Sequence, residues 1–413
     1  MATSTMRMTR PATGQGRPWL ASVVTFLIVA FVIFAAALIS APTKGIKIFP
    51  LGPYFAEAIS SGRWFLLAGG LLAIAVGVLA AFMIYNIWGD QGRRQETLAA
   101  YLFLSPYLLI TIVFTVGVLL FALYIAFFEY DIFTAPKFVG AANFVKAFKT
   151  KDFLQSLVNV GWYAVIVTVI QTSLALLLAV LLSSKMRARN FFRTIFYTPS
   201  VTSSVVISMI FWWLYLKTGY LNFGFEKLLG IFGIEWTRIE WLNNPRGLFQ
   251  LIAMAFGGNI PSDLWFLRGP SVTWMAIMFQ NIFTTIPTFM LMFLAGLQDV
   301  PGSLYEAASI DGATSRQQFW KITIPMVRPT ILLVVVLGTI GTLQIFDQVK
   351  ILTSGGPLGT TLTPVYLVYR EAIGSQGQIQ MGYASAMAFI LAIIIFVFTF
   401  LQRRFIESGT EQY

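Results

Sequence analysis

The chain has no cysteine and no histidine among its 413 residues, and only 11% of them carry a charge. The first absence excludes disulfides and thiol nucleophiles, and the two together remove imidazole acid–base chemistry and most zinc sites. A membrane-embedded enzyme would then need some other convergent acid, base or metal constellation, so no catalytic residue and no metal ligand is expected. GxxxxGK[ST] is also missing. The SGGP at Ser354–Pro357 is not a substitute for it, and the chain is not expected to bind ATP through a P-loop. No internal repeat with a period of about 20 to 50 residues occurs, nor any low-complexity tract.

Apolar residues, by contrast, make up 57% of the chain, at a mean hydropathy of +0.76. Such a composition belongs to a polytopic membrane protein. The apolar runs exceed the roughly 18 to 20 residues needed to cross hydrocarbon, and none alternates with period 2 as a barrel strand does, which predicts an all-α fold. The formal net charge of +11 is expected beside anionic lipid headgroups, and points to membrane lipid as a partner, not nucleic acid.

About eight transmembrane helices are predicted: Trp19–Ser40, Trp64–Trp88, Ala99–Phe128, Leu157–Leu182, Ile195–Leu216, Ser271–Leu297, Thr330–Val349 and Ile379–Gln402. The first follows Arg7, Arg10 and Arg17. It is longer than a signal-peptide core of roughly 7 to 15 residues, and Leu38–Ala41 makes a poor cleavage site, so it is expected to remain as a helix. Pro106 is a candidate kink in the third. Residues 129–156 should form a loop carrying a short amphipathic helix, Leu248–Phe256 is apolar but too short to span, and Leu352–Pro364 reads as a turn-rich loop. A boundary near Gln95 would separate residues 1–95, the tail and first two helices, from a six-helix core, 96–413.

Lys and Arg divide equally between the two faces that this order implies. The segments on the side of both termini are much shorter, however, and Lys185, Arg187, Arg189 and Arg193 crowd into one of them. Charge density near span ends therefore places both termini in the cytoplasm.

One polar stretch, Glu306–Pro329, lies between two apolar runs. Pro301, Gly302 and Ser303 break the chain ahead of it, with Ser303 three residues before Glu306 as in a capping box, and Pro325 and Pro329 end or kink it. It reads as a short helical element, about 303–329, held at a membrane face. Glu306, Ala307, Ala308, Asp311, Gly312, Ala313, Phe319, Ile322, Pro325 and Pro329 fall at fixed offsets. The stretch resembles the EAA signature of permease subunits of ATP-binding-cassette importers, in the carbohydrate branch. AYLFLSPYLL, FVGAANF, SLVNVGWYAVIVT, RTIFYTPSVTSSVVISMIFWWLY, MFLAGLQDVPGSLYEAASIDGA and ILTSGGP resemble successive blocks of that family, in order, from about residue 100 to 404. The two extra N-terminal helices resemble the maltose-type permease subunit. That subunit's large external domain between the third and fourth helices is missing, and some 50 residues stand between the fifth and sixth helices instead.

The resemblance implies that Glu306, Ala307, Ala308, Asp311, Gly312 and Ala313 dock on an ATPase subunit. It also implies that ATP and Mg are bound by that partner and no cofactor by this chain. A homologous second permease subunit, an ATPase dimer and an extracytoplasmic substrate-binding protein are the implied partners. Asn281 and Thr285 lie one helical turn apart with Gln280 adjacent, Ser200 and Ser204 repeat that spacing, and Gln344 and Asp347 are three apart. Ser200, Ser204, Asn281, Thr285, Gln344 and Asp347 match positions where the maltose-type permease lines its substrate path, which makes them candidate sugar contacts. Interhelical hydrogen bonding is the structural alternative for each. The Trp residues at span ends suit interfacial anchoring, and Gly382, Ser385 and Ala386 form a small-residue face suited to helix packing.

The function implied is a non-enzymatic transmembrane subunit of an ATP-driven carbohydrate importer in the cell membrane, working by alternating access. An ion-coupled secondary transporter of a small polar solute is the alternative. It calls for inverted repeats and paired buried acids, and neither is found.

Overall fold

The computed structural model describes residues 94–183, 189–374 and 378–407. The expected helices Trp19–Ser40 and Trp64–Trp88 lie outside these residues, as do Lys185 and Arg187. The chain divides into two compact units, one ending at Phe121 and the other beginning at Ala122.

The described part of the first unit is helix α1, Arg94–Ile110, and a π-helical turn, Thr111–Gly117; helix α2 follows at Val118–Ile125. Pro106 sits inside α1. It has no N–H to give the Leu102 carbonyl four residues back, and the Ser105 hydroxyl donates to that carbonyl instead at 2.8 Å. The irregularity expected at the proline comes five residues later, as the π turn.

In the second unit a two-residue hairpin pairs β1, Phe128–Glu129, with β2, Lys137–Phe138, the one pair of strands among the described residues. Helix α3, Ala142–Lys149, is the short amphipathic helix between spans. Asn143 near its start is buried and donates to the carbonyls of Ala126 and Phe128, both at 2.9 Å, so it ties the end of α2 to the hairpin. Asn143→Ala should leave both carbonyls unpaired and destabilise the protein by about 1–3 kcal/mol. A melting temperature in detergent that does not fall would show the tie to be dispensable.

Helix α4 spans Lys151–Ser183, α5 Arg189–Val201, α6 Ser204–Leu214, α7 Tyr220–Gly230, α8 Leu248–Ala255 and α9 Val272–Gln298. After α9 come α10, Gly302–Ile310; α11, Ser315–Gln318; a second π turn, Phe319–Thr323; and α12, Ile324–Met326. The chain ends with α13, Arg328–Leu343; α14, Asp347–Leu352; α15, Pro364–Ile373; and α16, Met381–Glu407. The fold is that of an all-α, multi-pass membrane protein. Among the described residues five helices are long and apolar enough to cross a membrane, and a bent pair makes a sixth.

Helix α4 is the post against which α9 and α13 pack, with α3 and α15 also in contact with it. At roughly 1.5 Å per residue its 33 residues exceed the hydrocarbon thickness. Its polar first turn begins six residues before the apolar run and is anchored by Asp152, which pairs with Arg370 of α15 at 3.1 Å. Lower down, Ala175 and Ala179 are fully buried and one turn apart, so α9 comes close enough to seat Met290 and Phe293 against them. Toward the other end Trp274 of α9 is fully buried beside Tyr163 and donates its indole N–H to the Asn159 carbonyl at 2.8 Å. Ser271 caps α9 by accepting from the Trp274 N–H. The small-residue face of α16 does pack closely: a Cβ at Gly382 would run into the Phe128 carbonyl.

Three expectations need correction. The fifth span is not one helix. α5 and α6 meet at a 95° bend over Thr202–Ser203, because Pro199 weakens the end of α5 and Ser203 takes up extended backbone. The seventh span, Arg328–Leu352, is not one regular helix: Gln344–Phe346 leave helical geometry before α14 starts, so Gln344 and Asp347 do not share a helical face. Ser303 is not a cap: Pro301 holds the N-cap position of α10 without a side-chain bond, and the capping box of this region lies further on, at Thr314 and Gln317.

Candidate functional site: a coupling hairpin and a polar cavity

The stretch expected as one element folds as two helices around a tight turn. Gly312, at φ +76°, ends α10. The Ala313 N–H reaches the Ala308 carbonyl at 2.8 Å and the Gly312 N–H reaches that of Ser309 at 3.1 Å, which is the Schellman pattern. Thr314 then starts α11 with a reciprocal capping box: its own N–H donates to the Gln317 side chain at 2.8 Å, and the Gln317 N–H returns to the Thr314 hydroxyl. Gln318 donates to the Ser309 hydroxyl at 2.8 Å, and the hydroxyls of Tyr305 and Thr323 lie 3.0 Å apart. The result is a hairpin whose two arms are bonded to each other.

Its outward side carries the sequence signature. Glu306, Ala307, Asp311 and Gly312 are exposed, and Ala308 and Ala313 are half-buried. Ala308, Asp311, Gly312, Ala313, Gln317, Gln318, Lys321 and Ile322 line a concavity of about 340 Å³. On the inward side Tyr305, Phe319, Ile322 and Ile324 pack against the apolar cluster of α4, α9 and α13. A push on the turn therefore bears on the membrane helices.

At the bend between α5 and α6 a second cavity opens, of about 280 Å³. Pro199, Ser200 and Thr202 line one side and Ser204 and Ile207 another. Gln280, Thr284, Thr285, Thr288 and Phe289 of α9 form the floor, and Gln348 of α14 closes it. No charged side chain is among these described walls. Several hydroxyl protons already point inward: Ser200 donates to the Tyr197 carbonyl at 2.8 Å, Thr202 to that of Thr198 at 3.3 Å, and Thr284 to that of Asn281 at 3.0 Å. Gln280 is 1% exposed, and its amide N–H holds the Ser208 hydroxyl at 2.8 Å. Its amide oxygen is buried with no partner. The hydroxyl oxygens of Ser200, Thr202 and Thr284 therefore present lone pairs to a guest.

Of the six candidate sugar contacts, Ser200, Ser204 and Thr285 come together here. Asn281, Gln344 and Asp347 are not among the walls. Asn281 is buried, with a side-chain oxygen that has no partner; Gln344 is exposed, and Asp347 is half-exposed at the first position of α14. Trp212 and Trp213 are about half exposed on the outside of α6 and do not line the cavity.

Residues 171–408 match the family model of the binding-protein-dependent transport system inner membrane component. The chain belongs to that family. Over 313 residues this permease is 34% identical to the probable ABC transporter permease protein YesP of Bacillus subtilis (strain 168), covering 75% of this chain and 90% of that protein. It is 30% identical, also over 313 residues, to the sn-glycerol-3-phosphate transport system permease protein UgpA of Agrobacterium fabrum (strain C58 / ATCC 33970), covering 75% and 94%. Its fold is similar to a chain in the crystal structure of a bacterial ABC transporter involved in the import of the acidic polysaccharide alginate. That match has a TM-score of 0.60 and 20% identity, and covers 77% of this permease and 98% of that chain.

Thr202, Thr284, Thr288 and Gln348 of the permease were not singled out by sequence reasoning. The signal for Gln280 and Gln348 was present, as amides one position from chosen residues. One position is about 100° around a helix, so periodicity alone did not pick out the residues that face this cavity.

Proposed function

We propose that this permease carries an uncharged carbohydrate, that is a sugar, oligosaccharide or polyol, into the cytoplasm by ATP-driven alternating access. The observation that carries the substrate class is the polar cavity at the α5–α6 bend. A polyol entering it sheds water from many hydroxyl groups, and those donors need acceptors. Buried amide and hydroxyl oxygens supply acceptors, and a charged solute would find no counter-ion among the walls. The name of one relative, a glycerol-3-phosphate permease, supports a polyhydroxy cargo, although a phosphate such as that one's would find no counter-ion among these walls. At about 280 Å³ the cavity is at the small end for a ligand site, as one wall of a path completed by a second permease subunit would be.

The energy comes from a separate ATPase dimer, and this chain makes and breaks no covalent bond. Closure of that dimer moves the Gly302–Met326 hairpin, which bears on α4, α9 and α13 and opens the path to a loaded external binding protein. Hydrolysis returns it. Both termini and the hairpin then lie in the cytoplasm, and the two helices ahead of Gln95 bring the spans to eight, outside a six-helix core that takes up residues 96–413. The test is uptake by vesicles holding the whole complex. Accumulation should stop when ATP is removed and should survive an uncoupler, whereas the opposite pair of results would identify an ion-coupled carrier.

A further inference from the structure

Gln171 lies in the middle of α4, 1% exposed, where an amide in a membrane helix is costly unless bonded. Its amide oxygen accepts from the Thr285 hydroxyl at 2.8 Å. Thr285 is a wall of the cavity; Gln171 is not. Among the described residues that hydroxyl has one other acceptor, the Asn281 carbonyl on its own helix, also at 2.8 Å. A threonine hydroxyl has one proton and two lone pairs. With both of its acceptors on the protein side, the proton is held there, and the lone pairs are left for whatever occupies the cavity.

A third helix fixes the amide from behind. A Cβ placed on Gly338 of α13 would come within 2.6 Å of the Gln171 side-chain nitrogen, and within 3.6 Å of Phe289, another wall of the cavity. Gly338 is itself buried. It leaves the room in which this amide sits, and any side chain there would displace the amide nitrogen.

We propose that Gln171 is a positioning residue for substrate recognition: through Thr285, and with Gly338 leaving it room, it makes that hydroxyl an acceptor for a hydroxyl donated by the substrate. The proposal rests on the cavity being the substrate path. Interhelical bonding alone would also place an amide here, but it would not link Gln171 to substrate affinity through Thr285.

The experiment is a double-mutant cycle on the complete, reconstituted importer. The probe is whichever of radiolabelled maltose, trehalose, glucose and glycerol the unmodified complex accumulates fastest. Gln171→Met keeps length and loses the acceptor, and Thr285→Val keeps shape and loses the hydroxyl. Each should raise KM about five- to tenfold with the maximal rate changed less than about twofold, and the double variant should be no worse than Thr285→Val alone. Gly338→Ala should reproduce the KM effect of Gln171→Met, and should add nothing once Thr285 is valine. If Thr285→Val leaves KM unchanged, the cavity is not the path and the proposal falls with it. If Thr285→Val raises KM but Gln171→Met does not, or the two effects multiply, the cavity stands and the positioning role of Gln171 is overturned. Accumulation of none of the four probes by the unmodified complex would count against the carbohydrate reading itself.

Discussion

Gly312→Trp should reduce ATP-driven uptake at least about tenfold, a loss of about 1.4 kcal/mol or more of productive contact, while the chain reaches the membrane in normal amounts. Two costs have to be separated. Gly312 sits at φ +76°, where an L residue is strained by roughly 1–2 kcal/mol. Its Cβ, however, would meet nothing of this chain within 4 Å. The hairpin around it is held by the Schellman bonds, the Thr314–Gln317 box and the Gln318–Ser309 bond, so the strain alone should not unfold it. A bulky side chain that leaves the tip into this open space would collide with a partner seated there. Gly312→Asn supplies the control, because asparagine tolerates the left-handed region and is small. It should keep much more transport than Gly312→Trp. Uptake and ATP hydrolysis measured side by side would show hydrolysis continuing without transport in the Trp variant. Normal uptake by that variant would remove the docking role from the turn.

How much of this architecture was legible beforehand differs by the kind of feature. The sixth span was placed to within a residue at each end, Ser271–Leu297 against Val272–Gln298, because Ser271 caps the helix and the apolar run and the helix coincide. The fourth was placed short, since hydropathy reports the part of a helix that suits lipid, and the turn from Lys151 through Gln155 is helical but polar. The bend at Thr202–Ser203 was invisible to hydropathy for the opposite reason: both limbs are apolar, so the sum runs unbroken across a 95° corner. Pro199 was the one local sign of it. That corner decided the candidate site. Ser200 and Ser204 were paired as neighbours on one straight helix; they do line one cavity, but from two helices that meet at a corner. Gln344 and Asp347 were paired by the same rule and were parted by the break at Gln344–Phe346. The coupling segment was legible as a polar helical element but not as a hairpin, although the left-handed glycine and the Thr-x-x-Gln that make its turn are local chemistry that no tertiary contact has to complete. The capping box had first been sought at Ser303, where proline had already taken the cap.

Gln280→Leu should raise KM for the carried sugar about tenfold. The amide does two things, and both matter to the expected size. Its nitrogen holds the Ser208 hydroxyl, whose own proton goes to the Ser204 carbonyl at 2.8 Å on α6. Its oxygen is buried among the cavity walls with no partner. A buried acceptor of this kind costs roughly 1–3 kcal/mol while it is unmet. A substrate hydroxyl that donates to it recovers that cost on binding, which makes the contact worth more than an ordinary exchange of water for protein. Leucine has similar bulk and removes the cost from the empty protein together with the gain in the complex, so affinity should fall while the amount in the membrane holds or rises. Asn281→Ala is the comparison. Its side-chain oxygen is also buried without a partner, but it is turned away from the walls by one helix position. The reading of the cavity as the path therefore requires the larger KM change at Gln280, and a larger change at Asn281 would move the substrate to the other face of α9.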